Sequence, residues 1–274
     1  MKRLALGLAM GLCALAAAVP TASRADGPPL RIATEGAYPP FNMTSPDGTL
    51  GGLEVELANA LCERMKRRCT LVAQDWDGII PGLLSRRYDA IMATMNITPE
   101  RAKAIAFSVP YMVVPAYFVA ATGGGIDGTE ATLAGKSVGA QTSTTHYRYV
   151  EKHFGKTVSL KNYDTASNLL ADLKSGRIDA AITTGATASD WVKADASKSL
   201  QLVGKPLVDA EVFGPGVGVG LRKEDADLKA AFDAAIASSC RTARWPASPP
   251  NTSTSPSPPD QQPYRYQPKP GEFS

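Results

Sequence analysis

The sequence predicts an α/β protein of two lobes, each a mostly parallel sheet flanked by helices. Short apolar runs of strand length alternate with longer segments of helical periodicity, and this alternation occurs twice along the chain. The two series also share a corner, Ser85-Arg86-Arg87-Tyr88-Asp89-Ala90-Ile91 and Ser175-Gly176-Arg177-Ile178-Asp179-Ala180-Ala181, in which a helix end turns through polar residues into a buried strand. A β-α-β-α-β order implies parallel strands joined by helical crossovers, because a hairpin cannot connect parallel neighbours.

The first series reads as a strand over 30–33, a helix over 53–66, a strand over 70–73, a helix over 77–86 and a strand over 90–92. In the 53–66 helix, Leu53, Leu57, Leu61 and Met65 fall on one face. After the Gly123-Gly124-Gly125 loop the second series gives a strand over 137–140, a helix over 145–154, a strand over 158–160, a helix over 165–175 and a strand over 180–182. Residues 217–221 then read as a strand and 226–237 as a helix that returns to the first lobe. Open α/β sheets bind ligands beyond the carboxyl ends of their strands, so two facing lobes make a cleft.

With 274 residues, 44% hydrophobic and 20% charged, the chain is long and apolar enough to bury a substantial core. Of its 29 basic residues, three (Lys2, Arg3, Arg24) stand in an N-terminal leader, which leaves 26 against 26 acidic residues. A neutral chain without a basic stripe argues against nucleic acid as partner. Residues 1–25 have the form of a signal peptide: a basic start, an almost wholly apolar 4–19, and small residues around Arg24. The apolar run is shorter than the roughly twenty residues a membrane span needs.

Export places the remainder in an oxidising space, where Cys62 in a helix and Cys69 before a strand suit a short disulfide. Free thiols are the alternative; zinc has little support, since the two histidines, His146 and His153, lie far away in sequence.

From Gly52-Leu53-Glu54-Val55-Glu56-Leu57 the sequence resembles the polar amino-acid family (family 3) of periplasmic solute-binding proteins, the receptor subunits of ABC importers. Four more segments agree in order: 32–41, with Tyr38-Pro39-Pro40-Phe41; Asp75-Trp76-Asp77-Gly78; Thr94-Met95-Asn96-Ile97-Thr98-Pro99-Glu100-Arg101; and 219–225. The likeness spans about 30 to 238 and is strongest to lysine/arginine/ornithine and opine receptors, whose paired cysteines sit where Cys62 and Cys69 are. It implies a type II periplasmic binding protein fold, with one lobe of 26–113 plus 210–240, the other of 118–206, and a cleft between them that closes about a hinge. It further implies a periplasmic monomer that binds a cationic amino acid or opine, works with membrane permease subunits, and needs no cofactor or metal.

The resemblance assigns roles that chemistry supports. Arg101 takes the ligand carboxylate through a bidentate fork. Thr94 and Asn96 hold the head group, and across the cleft Ser143-Thr144-Thr145 opens a helix whose free N–H groups favour a carboxylate. Glu35, Tyr38 and Trp76 line the side-chain end, where a carboxylate with aromatic walls suits a long aliphatic stem ending in a cation. Thr184 stands where many amino-acid receptors of this group carry an aspartate for the ligand α-ammonium, and a hydroxyl cannot neutralise that charge. Opine receptors lack the acid too, so the ligand is left open between a free cationic amino acid and an N-substituted one.

The rival reading is a dehydratase-like enzyme on the same fold with Glu35 as general acid. It has little support, because the sequence holds no ordered Ser/His/Asp set, phosphate-cradling glycine loop or metal cluster.

Residues 241–274 form a Pro/Ser-rich tail expected to be disordered. Two origins fit it. It is a native spacer, or it is a frameshifted C-terminus: 239–255 written in GC-rich codons and read from the third base becomes Leu-Gln-Asp-Gly-Thr-Val-Ala-Arg-Ile-Ser-Ala-Lys-Tyr-Phe-Asp-Phe, an ending like the family's.

Overall fold

A computed structural model describes residues 28–241 and 264–265. The expected leader, 1–25, lies outside the described residues, and so does the tail apart from Arg241 and Tyr264–Arg265. The last pair forms a two-residue strand parallel to Met112–Val113. Among the described residues no helix is long and apolar enough to cross a membrane.

Two five-stranded sheets carry the architecture, and they share one plan. In the first, the order is Cys69–Ala73, Leu30–Thr34, Ala90–Ile91, Gly220–Leu221 and Ala106–Phe107; in the second it is Ser159–Tyr163, Ser137–Gln141, Ala180–Thr184, Ala116–Ala121 and Leu200–Leu207. The first three strands of each sheet run parallel, and the remaining pairings are antiparallel. Helices Leu53–Arg64 and Ala226–Arg241 pack together on the first lobe, and Thr145–Phe154, Ala166–Lys174 and Gly185–Ala194 cover the second.

The repeated corner has a physical cause. In each copy the helix ends on a left-handed residue, Arg86 (φ 59°) or Gly176 (φ 70°), whose successor donates back to the carbonyl of Gly82 or Asp172. The aspartate three residues on then accepts from a backbone N–H of the sheet's first strand. Asp89 takes Arg31 N at 3.0 Å, and Asp179 takes Ser137 N at 2.7 Å. Each carboxylate thus sets the register of the third strand against the first. The first of these helices is shorter than 77–86: Trp76–Gly78 is a 3₁₀ turn and the α-helix runs over Ile79–Leu84.

Cys62, on the buried face of Leu53–Arg64, is disulfide-bonded to Cys69 at the start of its strand. Gly52 caps that helix at φ 108°, where a Cβ would come within 2.6 Å of the Phe41 carbonyl oxygen.

The chain passes between the two sheets twice, and the two passages lie side by side, with Leu207 paired to Ala116. Tyr111 N donates to Val217 O at 2.9 Å and Val217 N to Met112 O at 2.7 Å. Tyr38, Phe41, Tyr117 and Met112 belong to one apolar cluster that continues from lobe to lobe.

Candidate functional site

The carboxyl ends of the first and third strands of one lobe and of the first strand of the other meet across the cleft. From the first lobe, Glu35 follows Leu30–Thr34, Trp76 lies in its 3₁₀ turn, and Thr94 and Asn96 follow Ala90–Ile91. Thr94 adopts φ 50°, a left-handed conformation that turns the chain toward the Pro99–Ala104 helix. Thr98 caps that helix by accepting from Arg101 N at 3.2 Å, which positions Arg101 in the first turn. From the second lobe, Gln141 ends Ser137–Gln141, and Thr144 caps the Thr145–Phe154 helix by accepting from Tyr147 N at 3.1 Å.

Together they line a pocket with about 300 Å³ of empty space, part of it open to solvent, with Glu35, Tyr38, Trp76, Ala93, Thr94, Asn96 and Arg101 on one side and Gln141, Thr144, Thr145 and His146 on the other. Seven of the eight residues expected at the site therefore lie on one wall or the other. Thr184 does not. It is buried behind Tyr38, whose phenol donates to its hydroxyl at 3.2 Å and accepts from its N–H at 3.2 Å. The Thr184 hydroxyl donates in turn to Thr187, and Thr187 is tied to the Pro39 carbonyl across the lobes.

Further bonds span the cleft. Gln141 Nε2 donates to Glu35 Oε1 at 2.6 Å, Arg101 Nη2 to Ser143 O at 3.0 Å, and Thr145 Oγ1 to Asn96 Oδ1 at 3.1 Å. At the rim Arg148 pairs with Glu100. The structure is a closed one.

The electrostatics are unbalanced. Arg101 donates only to backbone carbonyls, those of Asn96 (2.9 Å) and Ser143, and its guanidinium carbon lies 5.2 Å from the Trp76 ring centroid. Burial lowers its pKa to about 10, so it stays charged at neutral pH. At the opposite end, burial pushes the Glu35 carboxyl up to about 7; the Gln141 bond opposes this, while Glu54, Asp75 and Asp77 add to it. His146, buried beside the Arg101 charge, is held down to about 4 and is neutral. Among the described residues no cation is bonded to Glu35 and no carboxylate to Arg101, which feels only the nearby Glu100, and both groups face one pocket.

Gln141, Ala93 and His146 were not expected on the wall. Gln141 carries a signal in hindsight, since it ends a parallel strand where ligands of such sheets bind. Glu54 was also missed. It stands at i−4 and i−7 from Ala58 and Leu61, on the apolar face of its helix, where an acid is out of place unless it is fully bonded.

Comparison with known proteins places this geometry in a class. Residues 30–245 match the family of bacterial extracellular solute-binding proteins, family 3, and the chain belongs to that family. Its two lobes are those of a type II periplasmic binding protein, and it is a solute-binding protein rather than an enzyme.

Among its relatives is the L-arginine-binding protein of Pseudomonas aeruginosa, 40% identical over 238 residues, which cover 86% of this chain and 90% of that one. The octopine-binding periplasmic protein of Rhizobium meliloti is 39% identical over 244 residues, covering 81% and 82%. A Salmonella typhimurium periplasmic binding protein with high arginine specificity superposes with a TM-score of 0.72 at 29% identity, over 78% of this chain and 93% of its own.

Proposed function

We propose that this protein is the extracytoplasmic receptor of an ABC importer and binds a cationic amino acid or opine by closure of the cleft. One observation carries this reading: buried Glu35 and half-buried Arg101, neither of them in an ion pair among the described residues, line one pocket between the lobes. Arg101 takes the ligand carboxylate, with the N-terminal N–H groups of the Thr145–Phe154 helix closing on it from the other lobe. Glu35 takes the distal cation beside Tyr38 and Trp76. Closure excludes water, which strengthens both pairs.

The lobes are 26–113 plus 210–240, and 118–206, and the paired crossing segments are the hinge. The protein acts as a periplasmic monomer after removal of 1–25 and hands its ligand to membrane permease subunits. The likeness to an L-arginine-binding and an octopine-binding protein supports the ligand class. Isothermal titration with arginine, lysine, ornithine, histidine, glutamine and octopine tests it. Binding of neutral or acidic ligands alone overturns the role of Glu35.

The tail from 241 is a frameshifted C-terminus. In support, the family match stops at 245, just before the Pro-rich sequence begins at Pro246.

A further inference from the structure

Glu54 is 1% exposed and lies directly behind the cavity. Its Oε1 accepts from the backbone N–H of Thr94 at 2.6 Å and from the Tyr111 phenol; its Oε2 accepts from Asn42 Nδ2 at 2.8 Å and from Thr94 Oγ1 at 2.9 Å. The orientation of Asn42 is settled by the N–H of Gly36, which donates to its Oδ1 at 2.8 Å, so only the amide nitrogen is left to face Glu54. Each carboxylate oxygen therefore meets one group that can only donate, and a hydroxyl completes its second site. No lysine, arginine or histidine is bonded to this carboxylate among the described residues.

The arrangement determines what Thr94 can offer a ligand. Its N–H is spent on Glu54, and so is its hydroxyl proton. The hydroxyl oxygen keeps its lone pairs, and no group among the described residues donates to it. A residue on the cavity wall that can accept but not donate repels a carboxylate and holds an amine.

The amine has little else to meet, since Thr184 is uncharged and sits behind Tyr38. Burial pushes the Glu54 carboxyl up, the four donors around it oppose that shift, and together with Glu35 it faces the single Arg101 cation with two acids.

We propose that Glu54 is a positioning residue that, by taking the Thr94 hydroxyl proton, turns the Thr94 oxygen into the acceptor for the ligand α-amine in place of an acid at position 184. This rests on the cationic amino-acid reading of the cavity and deepens it. It makes a free or N-substituted amine a required part of the ligand. The Asn42 to Gly36 link also couples the same carboxylate to the loop that carries Glu35.

The test is isothermal titration of the full mature protein with L-arginine and with δ-guanidinovalerate, which is arginine without its α-amine. Glu54→Gln should lower arginine affinity about 30-fold and δ-guanidinovalerate affinity less than about threefold, the scale of a hydrogen bond to a charged group. Thr94→Val should discriminate in the same way, and the double variant should be no weaker than the worse single one, because both changes remove one interaction.

Equal losses for the two ligands, or losses that multiply in the double variant, overturn the proposal. If Glu54→Gln fails to fold, Thr94→Val alone decides, since equal loss of both ligands there is as damaging. Failure of the wild type to bind any cationic ligand refutes the reading of the site itself, and this proposal with it.

Discussion

Glu35→Gln removes one charge while keeping the side-chain shape and the oxygen that accepts from Gln141. In the wild type the carboxylate is 8% exposed, and burial raises its pKa to about 7. Breaking a buried ion pair costs on the order of 2–5 kcal/mol; a central value of about 3 kcal/mol weakens arginine about 150-fold. Citrulline, neutral at that end, should lose less than about threefold, because Gln and Glu both accept from its ureido group.

Two further signs follow from the raised pKa. Arginine binds the ionised carboxylate, so wild-type affinity should fall about tenfold from pH 8 to pH 6, while the variant stays flat. His146, held down to about 4, does not titrate in that window. In the ligand-free protein the raised pKa means that the fold holds the proton more tightly than the unfolded chain, and this contribution is lost as pH rises from about 4.5 through 7. The variant should therefore be the more stable of the two at pH 8, by on the order of 3 kcal/mol, and gain nothing at pH 4. Calorimetric titration at pH 6 and 8, with thermal melts of the ligand-free proteins, measures all of this. Equal losses for arginine and citrulline, or a pH profile shared by both proteins, refute the assignment.

Arg101→Ala should weaken every carboxylate ligand more than about 100-fold, with partial recovery in Arg101→Lys, because a lysine restores the charge but not the planar fork; titration with arginine and octopine reads both. Tyr38→Phe removes a hydroxyl that bonds Thr183 and Thr184 across the cleft, so both ligands should lose about tenfold and keep their ranking. A change of ranking would place that hydroxyl against the ligand instead. Replacing Cys62 and Cys69 together by serine should cost about 2 kcal/mol in a denaturant melt, the value for closing a loop with a sequence separation of 7, without altering ligand preference. Resequencing the gene should show a reading frame that ends in Lys-Tyr-Phe after Ser239; a nucleotide sequence without it leaves the tail as a native spacer.

Much of the fold was legible because its signals are local. The parallel strands and their helices follow from apolar periodicity, and the repeated Ser-x-Arg-x-Asp corner follows from a helix end and an aspartate that must find nearby N–H groups. The cysteines, seven residues apart on adjoining elements, pair for the same reason. Arg101 was identified by its place in a capped turn within a recognisable motif.

The antiparallel strands Ala116–Ala121 and Leu200–Leu207, the two that complete the second sheet, went unread, since a short apolar run does not say which neighbour it pairs with. The same limit applied at the site. Gln141 reaches Glu35 over 106 residues and Tyr38 covers Thr184 over 146, so neither contact leaves a trace in periodicity. Glu54 shows only an odd place on an apolar helix face, and the four donors that converge on it come from three other parts of the chain.

The sequence by itself determined the family, the two-lobed fold class and the residue types, Arg101 and Glu35 among them, that a site could draw on. Only the tertiary structure decided which polar groups line the cavity and which are spent on one another, because hydrogen bonds are assigned by distance in space and not by distance along the chain.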